Sequence, residues 1–280
     1  MLYKYLPANR VVVLDNGEIR FTQPEALNDP FEALPLIDAP LKIKNLIEST
    51  ARDAQNLWEN TSPEEKTPEN HKILQDTLKG LNAEILKNTS PSILGFKVMN
   101  GLDGLDGLNK KLGVLSLSRT FSNLLMWSHY AENHRGFVIG LDETHEFFHQ
   151  GDCEGISTFP HKVSYTTQRS ITCAGDIDAY EKILCEKPTD WAYEEEVRVF
   201  RNFTENTKIS APDLAGYPVY LFVLPKECIK NIYIGAHAQP ELKEKILGFI
   251  RSHNLCADLY ETKMSSTRYE LKFEKCVKSI

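Results

Sequence analysis

A change of hydrophobic period partway along the chain limits the fold more than any other feature. Between residues 41 and 111, apolar side chains recur three or four apart, as in Ile43, Leu46 and Ile47 and again in Ile73, Leu74, Leu78 and Leu81. That spacing places them along one side of amphipathic helices. From residue 113 onward, short runs of β-branched and aromatic residues take over, bounded by glycine, proline and asparagine. Helical pattern gathered early and strands gathered late argue for an α+β fold, not for regular βαβ alternation. The expectation is a single α+β domain over residues 1–280, with a mixed or antiparallel β core and a helical insertion over 41–111. Pro63, Pro68 and Pro91 divide that insertion, and residues 101–107 read as a loop.

Residues 2–5 suit a short strand. Asn9 is placed to cap a brief helix that Asn16-Gly17 ends, and residues 18–22 alternate with Ile19 and Phe21 on one side. Residues 24–32 are turn-rich around Asn28-Asp29-Pro30. Later strands are expected over 113–118, 136–142, 162–165, 193–200, 217–223 and 231–234, with helices over 123–131 and 240–252. Residues 258–261 and 269–273 read as a closing hairpin, with Tyr269, Leu271 and Phe273 on one face.

With 280 residues, 41% of them hydrophobic, the chain can bury a sizeable core. Its net charge of −7 comes with no basic stripe, and Lys110-Lys111 is the only adjacent basic pair, so electrostatics gives nucleic acid no support as a partner. The most apolar run, residues 219–224, falls far short of the ~20 residues of a membrane helix. The opening MLYKYLPANR carries no apolar signal core. Six cysteines are scattered without a C-x-x-C pair, which reads as reduced structural thiols and a cytoplasmic setting with no membrane partner.

Polar chemistry gathers in four places. Tyr3-Lys4-Tyr5 on the opening strand puts two rings on one face and an amine on the other: stacking groups for a ligand, or amphipathic core. Asn28-Asp29-Pro30-Phe31-Glu32 makes a turn unaided, and its polar groups could equally hold a ribose or a metal. Ser116 and Ser118 share a strand face. The helix that follows carries Met126, Trp127 and Tyr130 inward and sets His129 four residues before Asn133. A hydrogen-bonded His129 tying helix to sheet is one reading, a ligand contact the other. The fourth cluster is WAYEEEVRVF. Strand alternation groups Glu194, Glu196 and Arg198 on one side, where two carboxylates and a guanidinium are costly to bury unless paired or used.

The segments LYKY, FTQPEALNDPFE, LSLSRTFSNLLMWSHYAENHRGFVIGLD, KVSY and WAYEEEVR together resemble the bacterial family catalogued as domain of unknown function 2971. More remotely, the order of an aromatic or basic opening strand, a serine strand and a glutamate strand is similar to the ADP-ribosyltransferase fold. That resemblance implies Glu196 as the catalytic carboxylate and Glu194 as its partner toward the acceptor. Ser116 and Ser118 would be the serine-strand equivalents, and Tyr3, Lys4 or Tyr5 would stand where that fold often has Arg or His. It departs from the pattern in its S-L-S strand and in lacking the opening Arg or His. With Asn28, Asp29, His129, Tyr130 and Arg198, these residues form the candidate binding set for a small-molecule nucleotide. NAD would be the substrate, with a protein or nucleic-acid acceptor and no metal. Two other functions remain open: a non-enzymatic ligand-sensing or interaction module, as used in bacterial conflict or phage defence, and a metal-dependent hydrolase built on Glu194, Glu196, His129 and Asp29.

Overall fold

The computed structural model describes residues 1–31, 39–88, 110–150, 152–153, 156–170 and 184–276. Glu32, Pro91 and the expected loop over 101–107 lie outside the described residues. The chain divides into two compact units: residues 1–32, 109–168 and 184–280 make one, and residues 33–108 with 169–183 make the other.

In chain order the elements are β1 (Leu2–Leu6), α1 (Val13–Asn16), β2 (Glu18–Phe21), α2 (Ala39–Asn60), α3 (Pro68–Asn88), β3 (Leu112–Ser118), α4 (Leu124–Tyr130) and β4 (Phe137–Leu141). The short strands β5 (Asp152–Cys153), β6 (Ile156–Ser157), β7 (His161–Lys162), β8 (Ser164–Thr166) and β9 (Glu186–Pro188) follow. The last are β10 (Glu196–Asn202), β11 (Lys208–Ser210), β12 (Val219–Val223), β13 (Ile229–Ile234), α5 (Pro240–Ser252), β14 (Asp258–Met264) and β15 (Leu271–Lys275). The fold is therefore mixed α and β.

The second unit holds α2 and α3. Thr67 accepts from the Asn70 amide and so caps α3, where Pro68 supplies a preset first residue. Trp58 and His71 pack 4.7 Å apart across the connection. The periodicity expected for these helices is there, but only part of it is covered. Ile47, Leu74 and Leu78 are half-buried, whereas Leu46, Ile73 and Leu81 stay exposed.

The first unit is organised by an eight-stranded mixed sheet in the order β15-β14-β13-β4-β1-β3-β10-β7. All neighbours run antiparallel except β13 and β14. Both faces are covered, so the central strand β4 is buried throughout. On one face Leu2, Leu6, Leu117, Val197, Val199 and Ile139 meet Val13 and Leu14 of α1 and Leu242 and Ile246 of α5. On the other, Tyr5, Val138 and Tyr233 meet Met126 and Trp127 of α4. A smaller sheet, β11-β12-β2, flanks the main one.

The main sheet is irregular where β1 meets β3. β1 and β3 share a single register pair, Tyr3 opposite Ser118, and then part. Further along, the edge of β3 is met by an isolated bridge from Thr22 to Val114. Between these two points the Ser116 carbonyl has lost its strand partner, and the Lys4 ammonium donates to it at 2.9 Å.

Several local expectations need correction. Asn9 caps nothing: the segment opens as a 3-10 helix, Ala8–Val12, with Pro7 at its start, and α1 follows directly. Gly17 does end that helix, at φ +65°. The strand expected over 162–165 breaks into β7 and β8 in different sheets. The Val163 amide bonds the Glu196 carbonyl while Ser164 turns to Cys185. The strand expected over 193–200 begins only at Glu196. Residues Thr189–Glu194 form a 3-10 helix, and Glu195 reverses the chain at φ +45°. The closing hairpin pairs as β14 with β15, but Tyr269 lies outside it and fully exposed.

Candidate functional site

The parting of β1 and β3 opens a cavity of about 230 Å3. Its walls come from sequence-distant elements brought together by the sheet: Tyr3, Lys4 and Tyr5 from β1, Ser116 to Ser118 from β3, and Arg20 and Thr22 at β2. Met126 and Tyr130 of α4 and the turn at Asn28 close it above, with Lys187, Glu194 and Glu196 at its floor.

Lys187, Glu194 and Glu196 make that floor with Arg198 behind them, and all four are buried: Lys187 and Glu196 at 3% exposure, Glu194 at 4% and Arg198 at 1%. The Arg198 fork grips Glu196, Nε to Oε1 at 2.9 Å and Nη2 to Oε2 at 3.0 Å. Lys187 stands between the carboxylates, 2.9 Å from Glu194 Oε2 and 3.1 Å from Glu196 Oε2. The other Glu194 oxygen accepts from the Tyr130 hydroxyl, which in turn accepts from Asn28 Nδ2 at 2.7 Å. Two negative and two positive charges therefore neutralise one another, which is what burial of such a set requires.

The backbone is fixed as firmly as the charges. Ser118 donates to the Glu194 carbonyl at 2.6 Å and accepts from the Thr120 amide at 3.0 Å. The Glu196 amide donates to the Tyr165 hydroxyl at 2.8 Å. Asn123 caps α4 by accepting from the Leu125 and Met126 amides, and Trp127 donates to the Phe121 carbonyl, so Tyr130 is presented from a rigid turn.

Titration follows from these contacts. Burial pushes the Glu196 carboxyl upward, but Arg198 and Lys187 outweigh it and hold the group at about 2. Burial raises the Tyr130 hydroxyl, and its bond to Glu194 adds to the shift, so it stays a donor. Burial lowers the Lys4 amine to about 8 against the opposing pull of Glu196. Lys4 is thus a cation held in a place that resists charge.

Of the residues singled out from sequence, Glu194, Glu196, Tyr3, Lys4, Tyr5, Asn28, Ser116, Ser118 and Tyr130 line this one cavity. Alternation separates Lys4 from the two tyrosines, and the parted sheet brings all three to the same opening. Arg198 lies behind Glu196 rather than at the wall. Asp29 turns its Oδ1 to the Phe31 amide at 3.0 Å, an Asx turn. His129 is exposed and meets the Tyr193 hydroxyl at 2.9 Å, tying α4 to the 3-10 helix, not to the sheet. Among the described residues no group of three or more His, Cys, Asp or Glu side chains is arranged as a metal site, so the four-residue ligand set does not assemble. Sequence reasoning missed Lys187 and Arg20. Neither sits in a distinctive pattern, and Lys187 is preceded only by a short stretch without clear period.

Fold and cavity together define a mixed α/β protein with a buried carboxylate–cation site in a parted sheet. Residues 126–199 match the family model described as protein of unknown function (DUF2971), which supports that family for this segment. The matched stretch contains Met126, Tyr130, Lys187, Glu194, Glu196 and Arg198, the greater part of the cavity's floor and roof. No curated protein and no solved structure matches the chain. No helix among the described residues is long and apolar enough to cross a membrane.

Proposed function

We propose that the cavity binds a nucleotide and cleaves the bond between its ribose and base, with NAD as the substrate and ADP-ribose transfer or NAD hydrolysis as the outcome. The observation that carries this reading is Glu196: a carboxylate kept ionised by Arg198 and Lys187 inside a cavity that serine, tyrosine and asparagine groups also line. As the carbon–nitrogen bond breaks, its electron pair leaves with neutral nicotinamide and positive charge builds on the ribose. A fixed anion close to that ribose stabilises the developing charge. Each carboxylate oxygen can accept more than one bond, so Glu196 can hold a ribose hydroxyl while it stays gripped by Arg198. In this reading Glu194, which shares Lys187 with Glu196, orients the attacking water or acceptor hydroxyl and receives its proton. Tyr3 and Tyr5 offer ring faces at the opening.

A second reading has its own support. All four oxygens of the two carboxylates already have partners, as in a purely structural ion network, which suits a ligand-sensing or interaction module. Incubation with labelled NAD, alongside calorimetric titration, separates the two. Release of nicotinamide that Glu196→Gln abolishes, with melting still cooperative, supports the enzyme. NAD that neither binds nor turns over, whatever acceptor is supplied, removes it. Binding that Glu196→Gln leaves intact, with no turnover in either protein, favours the module.

A further inference from the structure

Two lysines line the cavity, and their surroundings differ. Lys187 stands between Glu194 and Glu196, 2.9 and 3.1 Å from their oxygens, so its amine is tied down on both sides. Lys4 has no such anchor. Its Nζ donates to the Ser116 carbonyl at 2.9 Å, and among the described residues it pairs with no carboxylate. Its position comes from the parted sheet. β1 pairs with β3 only at Tyr3 opposite Ser118, so the next residue, Lys4, stands where the two strands have separated. The side chain is half-buried, shielded from bulk water yet within reach of a small molecule in a cavity of about 230 Å3.

That setting also changes the amine. Burial, the largest influence, lowers it to about 8; Arg10 and Arg20 act in the same direction, and Glu196 and Glu194 oppose them. A lysine lowered this far has roughly a tenth of its amine neutral at pH 7, against less than about a thousandth for an ordinary one. A neutral amine carries a free lone pair and attacks carbonyl carbon. Tyr130 and Asn28, at the same cavity, offer hydrogen-bond partners to hydroxyl groups next to such a carbonyl.

We infer that the cavity captures a short hydroxyaldehyde as an imine on the Lys4 Nζ, a reaction that does not depend on NAD being a substrate. The amine lone pair forms a bond to the aldehyde carbon, and the carbonyl π electrons pass to oxygen. Both protons of the amine nitrogen then leave with that oxygen as one water, and a carbon–nitrogen double bond remains.

The test incubates the full chain at pH 7 with glyceraldehyde and sodium cyanoborohydride, which reduces an imine to a stable secondary amine. Peptide mass spectrometry locates the adducts, and fragmentation of the first peptide separates Lys4 from the Met1 amine. Lys4 is expected to be labelled roughly tenfold or more faster than the exposed Lys245 and Lys272, and to lose that lead when the chain is unfolded in guanidinium chloride. Lys4→Arg, which keeps the charge and a donor, is expected to remove this adduct and to leave the labelling of Lys245 and Lys272 unchanged. Labelling of Lys4 no faster than that of the exposed lysines, or an equal lead in the unfolded chain, overturns the inference. Preferential labelling of Lys187 overturns the assignment to Lys4. Propanal reacting at Lys4 as fast as glyceraldehyde overturns the hydroxyaldehyde class.

Discussion

Lys187 is the residue on which the floor of the cavity turns. Among the described residues it is the one cation that reaches both carboxylates, and its removal would take away the charge that stands between Glu194 and Glu196. Breaking a buried ion network by taking out one member costs roughly 3–5 kcal/mol, because the remaining charges lose their compensation. Lys187→Met should therefore lower the denaturant midpoint by a corresponding amount in urea unfolding. A variant as stable as the parent would mean that the two carboxylates do not depend on this amine. The sequence offered little warning of this role. The glutamates announced themselves by sitting in a run with Arg198, whereas Lys187 lies in the three-residue strand β9 and reaches them only through the fold. Arg20 was hidden for a similar reason: on an alternating strand its exposed parity resembles an ordinary solvated position.

At the scale of elements, the convergence of Glu194 and Glu196 has a different origin from the one alternation suggests. Period two places both on one strand face, and they do share a cavity, but Glu194 belongs to a 3-10 helix and Glu196 to β10. Exposed Glu195 joins them in the left-handed region at φ +45°, where a side chain is strained and glycine is not. Glu195→Gly should accordingly leave stability unchanged or raise it by up to about 1 kcal/mol, and Glu195→Val should lower it by about 1–2 kcal/mol. Thermal unfolding of both variants checks this; a loss in the glycine variant would show that the reversal is not strained. Short 3-10 segments have no period long enough to read in a sequence, so the helix at 189–194 and the break of β7 from β8 were illegible. Elements with longer patterns, namely β3, β4, α5 and the β14–β15 hairpin, were legible to within a few residues.

For the molecule as a whole, acid sensitivity should report on the buried network. The Glu196 carboxyl titrates at about 2 in the folded protein, against 4.5 for an ordinary glutamate. A depressed carboxyl contributes stability that is fully present above about pH 4.5 and is lost as pH falls toward 2. Unfolding free energy measured from pH 7 downward should decline through that window, and the decline should be shallower in Glu196→Gln. Equal slopes would show that Glu196 is not the group being protonated. The fold class came through from sequence because it rests on bulk patterning. The cavity did not, because it depends on where two strands stop pairing, and no residue type marks that point. This single rung has a mechanical consequence. Five rungs fasten β1 to β4 and one fastens it to β3, so the amino-terminal strand travels with the β4 side of the sheet. A guest entering between β1 and β3 would press on the Tyr3–Ser118 rung as a wedge presses on a hinge pin, and slower amide exchange around it would be the trace of a guest that fits.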